Sequence, residues 1–261
     1  MNRNNELSFA RQTAQQTGDL LADIFLTGKT AANMKDDQTL VTAADREADR
    51  FIQQAVNSAF PDHAVLSEEG QTLYPADAQF VWVVDPLDGT TNFSTGLHHW
   101  GVSIALLEGG FPILAAVYFP LLREMYTASR GQGAYLNERR LNIREQVDPH
   151  SFFVHCSRTP KRYQLNLPYK TRSLGSAAFH LCSIAKGSSR IALETTVKLW
   201  DIAGAWPIIE EAGGLIQAAA ETPPFPPKKD FDYNKISYTV LAAGDSRHLK
   251  LLLEEIESNQ P

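Results

Sequence analysis

Trp82-Val83-Val84-Asp85-Pro86-Leu87-Asp88-Gly89-Thr90-Thr91-Asn92-Phe93 decides how the rest of the chain is read. The apolar run Phe80 to Val84 delivers a strand to Asp85, and Pro86 bars that strand from continuing normally. Asp88 follows three residues later, and Gly89 with two threonines has the composition of a turn opening a helix. A strand end with two carboxylates, beside a helix start with free amides, suits cations and phosphate oxygens together.

Upstream, Phe9, Ala10, Thr13, Ala14, Leu20, Leu21, Ile24 and Phe25 recur at helical steps and predict a helix over 6–28. Residues 29–38 are polar and read as a loop. Leu40-Val41-Thr42 approaches a second helix over 44–59, with Asp45 in its first turn. Asp45 has two readings there, complement to the helix dipole or member of a site. Ala64-Val65-Leu66 is a short strand ending at Ser67-Glu68-Glu69-Gly70, where the acidic pair is either a solvated surface feature or a second wall of the Asp85 crevice.

Downstream, Gly101–Leu107 and Phe111–Tyr118 flank Glu108-Gly109-Gly110 as a hairpin, and a second hairpin is expected around Gly131-Gln132-Gly133. The first half is thus helices followed by a largely antiparallel sheet. A polar break over 146–150 suggests a boundary, with an N-terminal half (1–148) and a C-terminal half (149–261) forming one compact unit. In the second half strands are expected at 152–156, 190–194 and 238–242, and helices at 176–186, 201–212 and 246–257. Alternating strands and helices suggest a layered arrangement. Thr222–Lys229, with four prolines, reads as a surface loop.

The bulk composition is that of a globular protein: 261 residues, 43% hydrophobic, mean hydropathy −0.25. A formal charge of −6 argues against a nucleic-acid backbone as main partner. It leaves a phosphorylated small molecule open, because bound cations invert the local sign of a site. Cys156 and Cys182 fit no metal or redox spacing and read as buried thiols in a reducing compartment. Without a signal-like N-terminus or a long apolar run, a cytoplasmic protein with no membrane association is expected.

Glu68, Glu69, Asp85, Asp88 and Asp201 each stand where an apolar strand stops or a helix begins. Asp201 could simply cap the helix that follows Leu199-Trp200. Gathered without cations, five such carboxylates would repel one another; around magnesium they become hard oxygen ligands. No histidine or thiolate cluster competes for zinc, and neither a Gly-x-Ser-x-Gly elbow nor a Gly-Lys phosphate loop occurs. His98 and His99 read as rim residues.

Asp85-Pro86-Leu87-Asp88-Gly89-Thr90-Thr91-Asn92-Phe93 resembles the first signature of the inositol monophosphatase family. Leu199-Trp200-Asp201-Ile202-Ala203-Gly204-Ala205, running to Glu211-Ala212-Gly213-Gly214, resembles the second. Ser67-Glu68-Glu69, Val41-Thr42-Ala43-Ala44-Asp45 and Arg172-Ser173-Leu174-Gly175-Ser176-Ala177-Ala178 match further family segments, all in family order.

The resemblance implies an α+β fold, the layered α-β-α-β-α sandwich of the inositol monophosphatase and fructose-1,6-bisphosphatase type. It implies a lithium-sensitive phosphatase, active as a homodimer, that uses two to three Mg2+ ions. Glu68, Asp85 and the Leu87 carbonyl would hold one ion; Asp85, Asp88 and Asp201 a second; Glu68 and water a third. Thr90 and Asp45 would orient and activate the attacking water, with Glu69 among the catalytic acids. Gly89 and Thr90 would offer amides to the phosphate, Glu194 would contact substrate hydroxyls, Ala177 would line the pocket, and Lys35 would approach the metals from a mobile loop.

Inositol monophosphate is the reference substrate. Fructose bisphosphate, histidinol phosphate, NADP(H) and 3′-phosphoadenosine nucleotides are the alternatives, and a non-enzymatic role through a partner such as RNA polymerase is a competing class. Two departures bear on the substrate. Only eleven residues separate Pro160 from Arg172, and Trp206 stands where small residues are common in the family.

Overall fold

The computed structural model describes residues 3–28, 32–34, 40–145, 151–219 and 222–258. Helix α1 (Asn4–Leu26) buries Ala10, Ala14 and Leu21. Strands β1 (Ala32–Met34) and β2 (Leu40–Thr42) pair antiparallel and lead into α2 (Ala43–Ala59). There follow β3 (Ala64–Ser67), β4 (Phe80–Asp88), the short helix α3 (Thr90–Thr95), β5 (Gly101–Glu108), β6 (Phe111–Phe119), β7 (Glu124–Ser129), β8 (Gly133–Leu136) and β9 (Arg139–Arg140). Strands β3 to β9 form one seven-stranded sheet in chain order, antiparallel except for the β3–β4 pair.

The second half contributes β10 (Phe152–His155), α4 (Thr159–Arg162), β11 (Thr171–Arg172), α5 (Ala177–Ala185), β12 (Ser189–Val197), α6 (Leu199–Ala203), α7 (Ala205–Glu211), β13 (Leu215–Ala218), β14 (Tyr238–Ala243) and α8 (Ser246–Ser258). Its five strands pair in the order β11-β10-β12-β14-β13.

Period-two alternation along the strands assigns the layers. Trp82 and Val84 of β4 pack with Ile104, Leu106 and the buried faces of α1 and α2. Val81 and Val83 point the other way, into a core shared with α5, α6, α7 and one face of the second sheet, including Val154, Ala192 and Val240. That sheet's opposite face, with Phe153, Ile191, Leu193 and Leu241, is covered by Leu249, Leu252 and Ile256 of α8. Helices, sheet, helices, sheet, helix is the five-layer order expected. Both faces of β4 are covered, which is why its sequence is a continuous apolar run.

Several elements differ from the sequence expectation. Strand β4 continues through Pro86 to Asp88, because its pairing with β5 jumps from Asp85–Ser103 to Asp88–Gly101. The extra residue is a bulge, where proline's missing N–H costs no ladder bond. The single helix expected over 201–212 is two, α6 and α7. Pro207 cannot donate to the carbonyl four residues back, and a Cβ on Gly204 would collide with Ser103 Oγ. Strand β13 pairs with β14 although its sequence lacks a strong alternating signal.

Residues 32–34 of the expected loop form β1, and the boundary expected at 146–150 lies outside the described residues. Cys182 is buried but Cys156 only partly so, beside the hydroxyls of Thr159 and Thr195. In the short segment before Arg172, alternate residues Tyr163, Leu165, Leu167 and Tyr169 pack onto the outer core of the second sheet. The proline-rich loop buries Phe225 against Trp206, ring centroids 5.2 Å apart. No helix among the described residues is long and apolar enough to cross a membrane.

Candidate active site

The parallel register of β3 on β4 sets Ser67 opposite Val84, and the Glu68 amide donates to the Val84 carbonyl at 3.3 Å. Glu68 therefore leaves its strand beside Asp85. A buried tie fixes that strand end: Asp49 of α2 accepts from the Ser67 hydroxyl and from Gln53 Nε2 at 2.6 Å. Asp201 arrives from the second half, in the first turn of α6, which packs on β4 and β5. Carboxylate oxygens of Glu68, Asp85 and Asp201 all lie within 4.8 Å of one another.

Asp201 also serves its own helix, not as the N-cap but as the third residue of a capping box: its Oδ2 accepts the amide of the N-cap, Lys198, at 2.8 Å. Asp85 Oδ1 accepts from Leu87 N at 3.1 Å. Burial, followed by Glu68, Asp88 and Asp201, pushes the Asp85 carboxyl well above the usual carboxylate range. Burial, Glu68 and Asp88 do the same to Asp201. Burial and crowding by like charges both disfavour the ionised form.

Asp88 is not part of that three-carboxylate cluster. Its oxygens accept from the Ser176 hydroxyl, from Ala177 N at 3.2 Å and from Ala178 N at 3.1 Å, so it caps the start of α5. Burial still raises its carboxyl, with the Ser176 bond opposing. Ala177, expected in the pocket wall, stands at this junction half-buried. Glu69 is also half-buried and outside the cluster. Lys35 lies outside the described residues.

Gly89 takes φ +91°, and a Cβ there would come 2.9 Å from the His99 carbonyl, so the turn from β4 to α3 requires glycine. Thr90 follows, with its hydroxyl 2.9 Å from Asp45 Oδ1 and 3.2 Å from the Leu87 carbonyl. Asp45 Oδ2 accepts from Thr42 N at 2.7 Å and Thr42 Oγ1 at 2.5 Å, forming a capping box on α2. The carboxylate is thus a helix cap on one oxygen and Thr90's partner on the other. Burial raises its carboxyl and these bonds lower it. The Leu87 side chain is 1% exposed in the core, so it anchors the turn that presents its carbonyl.

Glu194 is buried at 1% exposure, with Oε1 2.6 Å from His180 Nδ1. His180 Nε2 accepts the Leu174 amide at 2.8 Å, which leaves the proton of a neutral ring on Nδ1. Burial lowers the His180 pKa to about 4, in keeping with that neutral form. Burial and then Asp88 raise the Glu194 carboxyl.

Ser176, His180, Thr42, Asp49 and Asn92 are the residues that sequence reasoning missed. Asn92 donates its two amide hydrogens to the His99 and Leu174 carbonyls, at 2.5 and 2.6 Å, joining the two flanking loops. Ser176, Thr42 and Asn92 stand inside the quoted motifs, so the signal was present without the contact. His98 is exposed and His99 half-buried, edge-on to Phe179 at 4.8 Å.

The donor set fits a hard divalent cation: carboxylate oxygens, with neither sulfur nor imidazole among them. Three carboxylates held this close are otherwise disfavoured, and ligation would remove the penalty. The cluster could therefore hold metal.

The sequence matches the inositol monophosphatase family over residues 2–260. It is 34% identical over 226 residues to the Nus factor SuhB of Pasteurella multocida, covering 82% of this chain and 85% of that protein. It is 33% identical over 221 residues to a histidinol-phosphatase of Chlorobaculum parvum, covering 80% and 84%. Among solved structures, the IMPase of Thermotoga maritima superposes with a TM-score of 0.77 at 26% identity, covering 97% of this chain and 99% of that one. With the acidic cluster, the five-layer order and a match along nearly its whole length, the chain belongs to the inositol monophosphatase family.

Proposed function

We propose that this chain is a Mg2+-dependent phosphomonoesterase acting on inositol monophosphate or a similarly small phosphorylated alcohol. The observation that carries the reading is the meeting of Glu68, Asp85 and Asp201 within 4.8 Å, with Thr90, at the end of the turn that follows Asp85, hydrogen-bonded to Asp45 of α2. In this reading Glu68, Asp85 and the Leu87 carbonyl hold one ion, and Asp85, Asp88 and Asp201 a second, with Glu68 and water supporting a third. Asp88 can serve although it caps α5, since each carboxylate oxygen accepts more than one bond. Bound magnesium would neutralise phosphoryl oxygens and make a coordinated water acidic.

The chain's own residues supply orientation. Thr90 has a single hydroxyl proton, and the Asp45 carboxylate is its stronger acceptor. With that proton directed to Asp45, the Thr90 oxygen is left to accept a hydrogen from the attacking water. Asp45 cannot turn away, because Thr42 holds its other oxygen twice. Gly89 and Thr90 present amides to the phosphate, Ala177 and Glu194 border the alcohol, and Glu69 and Lys35 complete the set. The slow uncatalysed reaction needs this degree of electrostatic stabilisation and little covalent help.

The test is phosphate release from a panel: inositol 1-phosphate, fructose 1,6-bisphosphate, histidinol phosphate, NADP+ and 3′-phosphoadenosine 5′-phosphate, each with and without Mg2+. Inositol 1-phosphate is expected to lead. Preference for a nucleotide would overturn the substrate, and no Mg2+-dependent release would overturn the activity. Similarity to proteins named Nus factor favours a second reading, a partner-binding role independent of hydrolysis. Asp85→Asn separates the two, because only the enzymatic role depends on the metal cluster.

A further inference from the structure

The contact between Glu194 and His180 bears on what the site can recognise. Glu194 lies on β12 and His180 on α5, and both are at the 1% level of exposure. One oxygen of the carboxyl, Oε1, is 2.6 Å from His180 Nδ1. The other, Oε2, accepts from no donor among the described residues. Glu194 is close enough to the acidic site to raise the Asp201 carboxyl and to be raised by Asp88. A buried carboxyl with one oxygen pinned and one open next to the candidate metal cluster is poised for a ligand atom.

His180 is itself held from behind. Its Nε2 accepts the Leu174 amide at 2.8 Å, and the Leu174 carbonyl takes a hydrogen from Asn92 at 2.6 Å. Asn92 in turn belongs to α3, on the turn that carries Thr90. The chain from Thr90's helix to Glu194 is therefore continuous: Asn92, Leu174, His180, Glu194.

We infer that His180 is a positioning residue, which fixes the rotamer of Glu194 so that Oε2 faces a hydroxyl of the substrate's alcohol portion. This deepens the phosphatase reading and rests on it. A hydroxyl can both donate and accept, so it can meet Oε2 whether or not that oxygen carries a proton, which an ammonium cannot. The alcohol portion thus carries a free hydroxyl on the side of β12, and His180 sets selectivity for it without touching it.

The test compares two ligands, inositol 1-phosphate and phenyl phosphate, the second having no hydroxyl to offer. Binding is read by calorimetry with Ca2+ in place of Mg2+ to slow turnover, so a chain that binds without hydrolysing still answers. The wild-type protein is expected to bind inositol 1-phosphate more tightly. In His180→Leu the ratio of the two affinities should fall by about tenfold, the loss of one oriented buried hydrogen bond. In His180→Asn, whose amide can replace the Nδ1 donor, the ratio should stay within about twofold of wild type. Equal wild-type affinities, an unchanged ratio in His180→Leu, or equal loss in both variants would each overturn the inference.

Nitrogen chemical shifts of His180 in the wild-type protein give an answer that no folding defect can obscure. A neutral ring protonated on Nδ1 is expected, and protonation on Nε2 would refute it. Absence of Mg2+-dependent hydrolysis by the wild type counts against the phosphatase reading instead, and is read separately.

Discussion

Asp85→Asn should stabilise the metal-free protein while abolishing its response to magnesium. Asp85 is 1% exposed, and its nearest neighbours Glu68 and Asp201 present oxygens within 4.8 Å. Two unit charges at that separation repel by about 3 kcal/mol at an effective dielectric of about 20. Partial protonation already relieves some of this, as the raised Asp85 and Asp201 carboxyls indicate. Removing one charge should therefore recover about 1–2 kcal/mol. The amide oxygen of asparagine can still accept from Leu87 N, so the turn is kept. For a chain of this size that gain corresponds to a rise of roughly 2–8 °C in Tm. Thermal unfolding in EDTA, and again with excess Mg2+, reads both halves of the prediction. Wild type should rise on adding Mg2+, and the variant should start higher, gain little and release no phosphate. A metal-free variant that melts below wild type, or that gains as much from Mg2+, would refute the account of the cluster.

Three further outcomes are expected, two from the geometry and the last from membership of the family. Gly89→Ala should lose about 1–2 kcal/mol from its left-handed conformation alone, and more from the Cβ contact with the His99 carbonyl. Gly96→Ala shares the left-handed conformation without the contact, so in thermal melts Gly89→Ala must fall further. Because the Asp85 and Asp201 carboxyls are raised, the folded metal-free chain holds protons that the unfolded chain gives up. That contribution is complete below the ordinary carboxylate range and is lost as pH rises through the raised values. Metal binding, as proposed, must displace those protons, so the Tm gain from a fixed Mg2+ concentration should grow as pH rises through the raised carboxyl range. Lithium should inhibit phosphate release where potassium at equal ionic strength does not, and equal effects of the two would remove that expectation.

Much of the fold was legible because burial leaves a trace in the sequence, a period where one face is covered and a continuous apolar run where both are. The helix of Ala10, Ala14 and Leu21, the hairpin around Gly109 and the strand into Asp85 all carried it. What escaped depended on neighbours distant in sequence. Pro86 looked like a strand terminator until its bulge against Ser103 and Gly101 was seen. Gly204 looked like an ordinary helical residue, although Ser103 and Val117 press on it from the seven-stranded sheet. At the site, residue types and order pointed to Glu68, Asp85 and Asp201, but nothing in a linear reading tells that Asp88 spends its oxygens on α5. Nor does it tell that Glu194 is gripped by an imidazole. Hydrogen bonds between segments more than 80 residues apart leave no periodic mark.

The central helical layer has one more consequence. Glu68 and Asp85 are carried by the seven-stranded sheet, whereas Asp201 and the α5 terminus that grips Asp88 come from the half of the chain built around the five-stranded one. The acidic cluster exists only while the two sheets remain clamped on the helices between them. If the cluster holds magnesium as proposed, divalent-ion affinity is a gauge of how well the sandwich is closed. A substitution at Ala203 or Ala205, buried in that middle layer, would register first as weakened ion retention, before any loss of secondary structure.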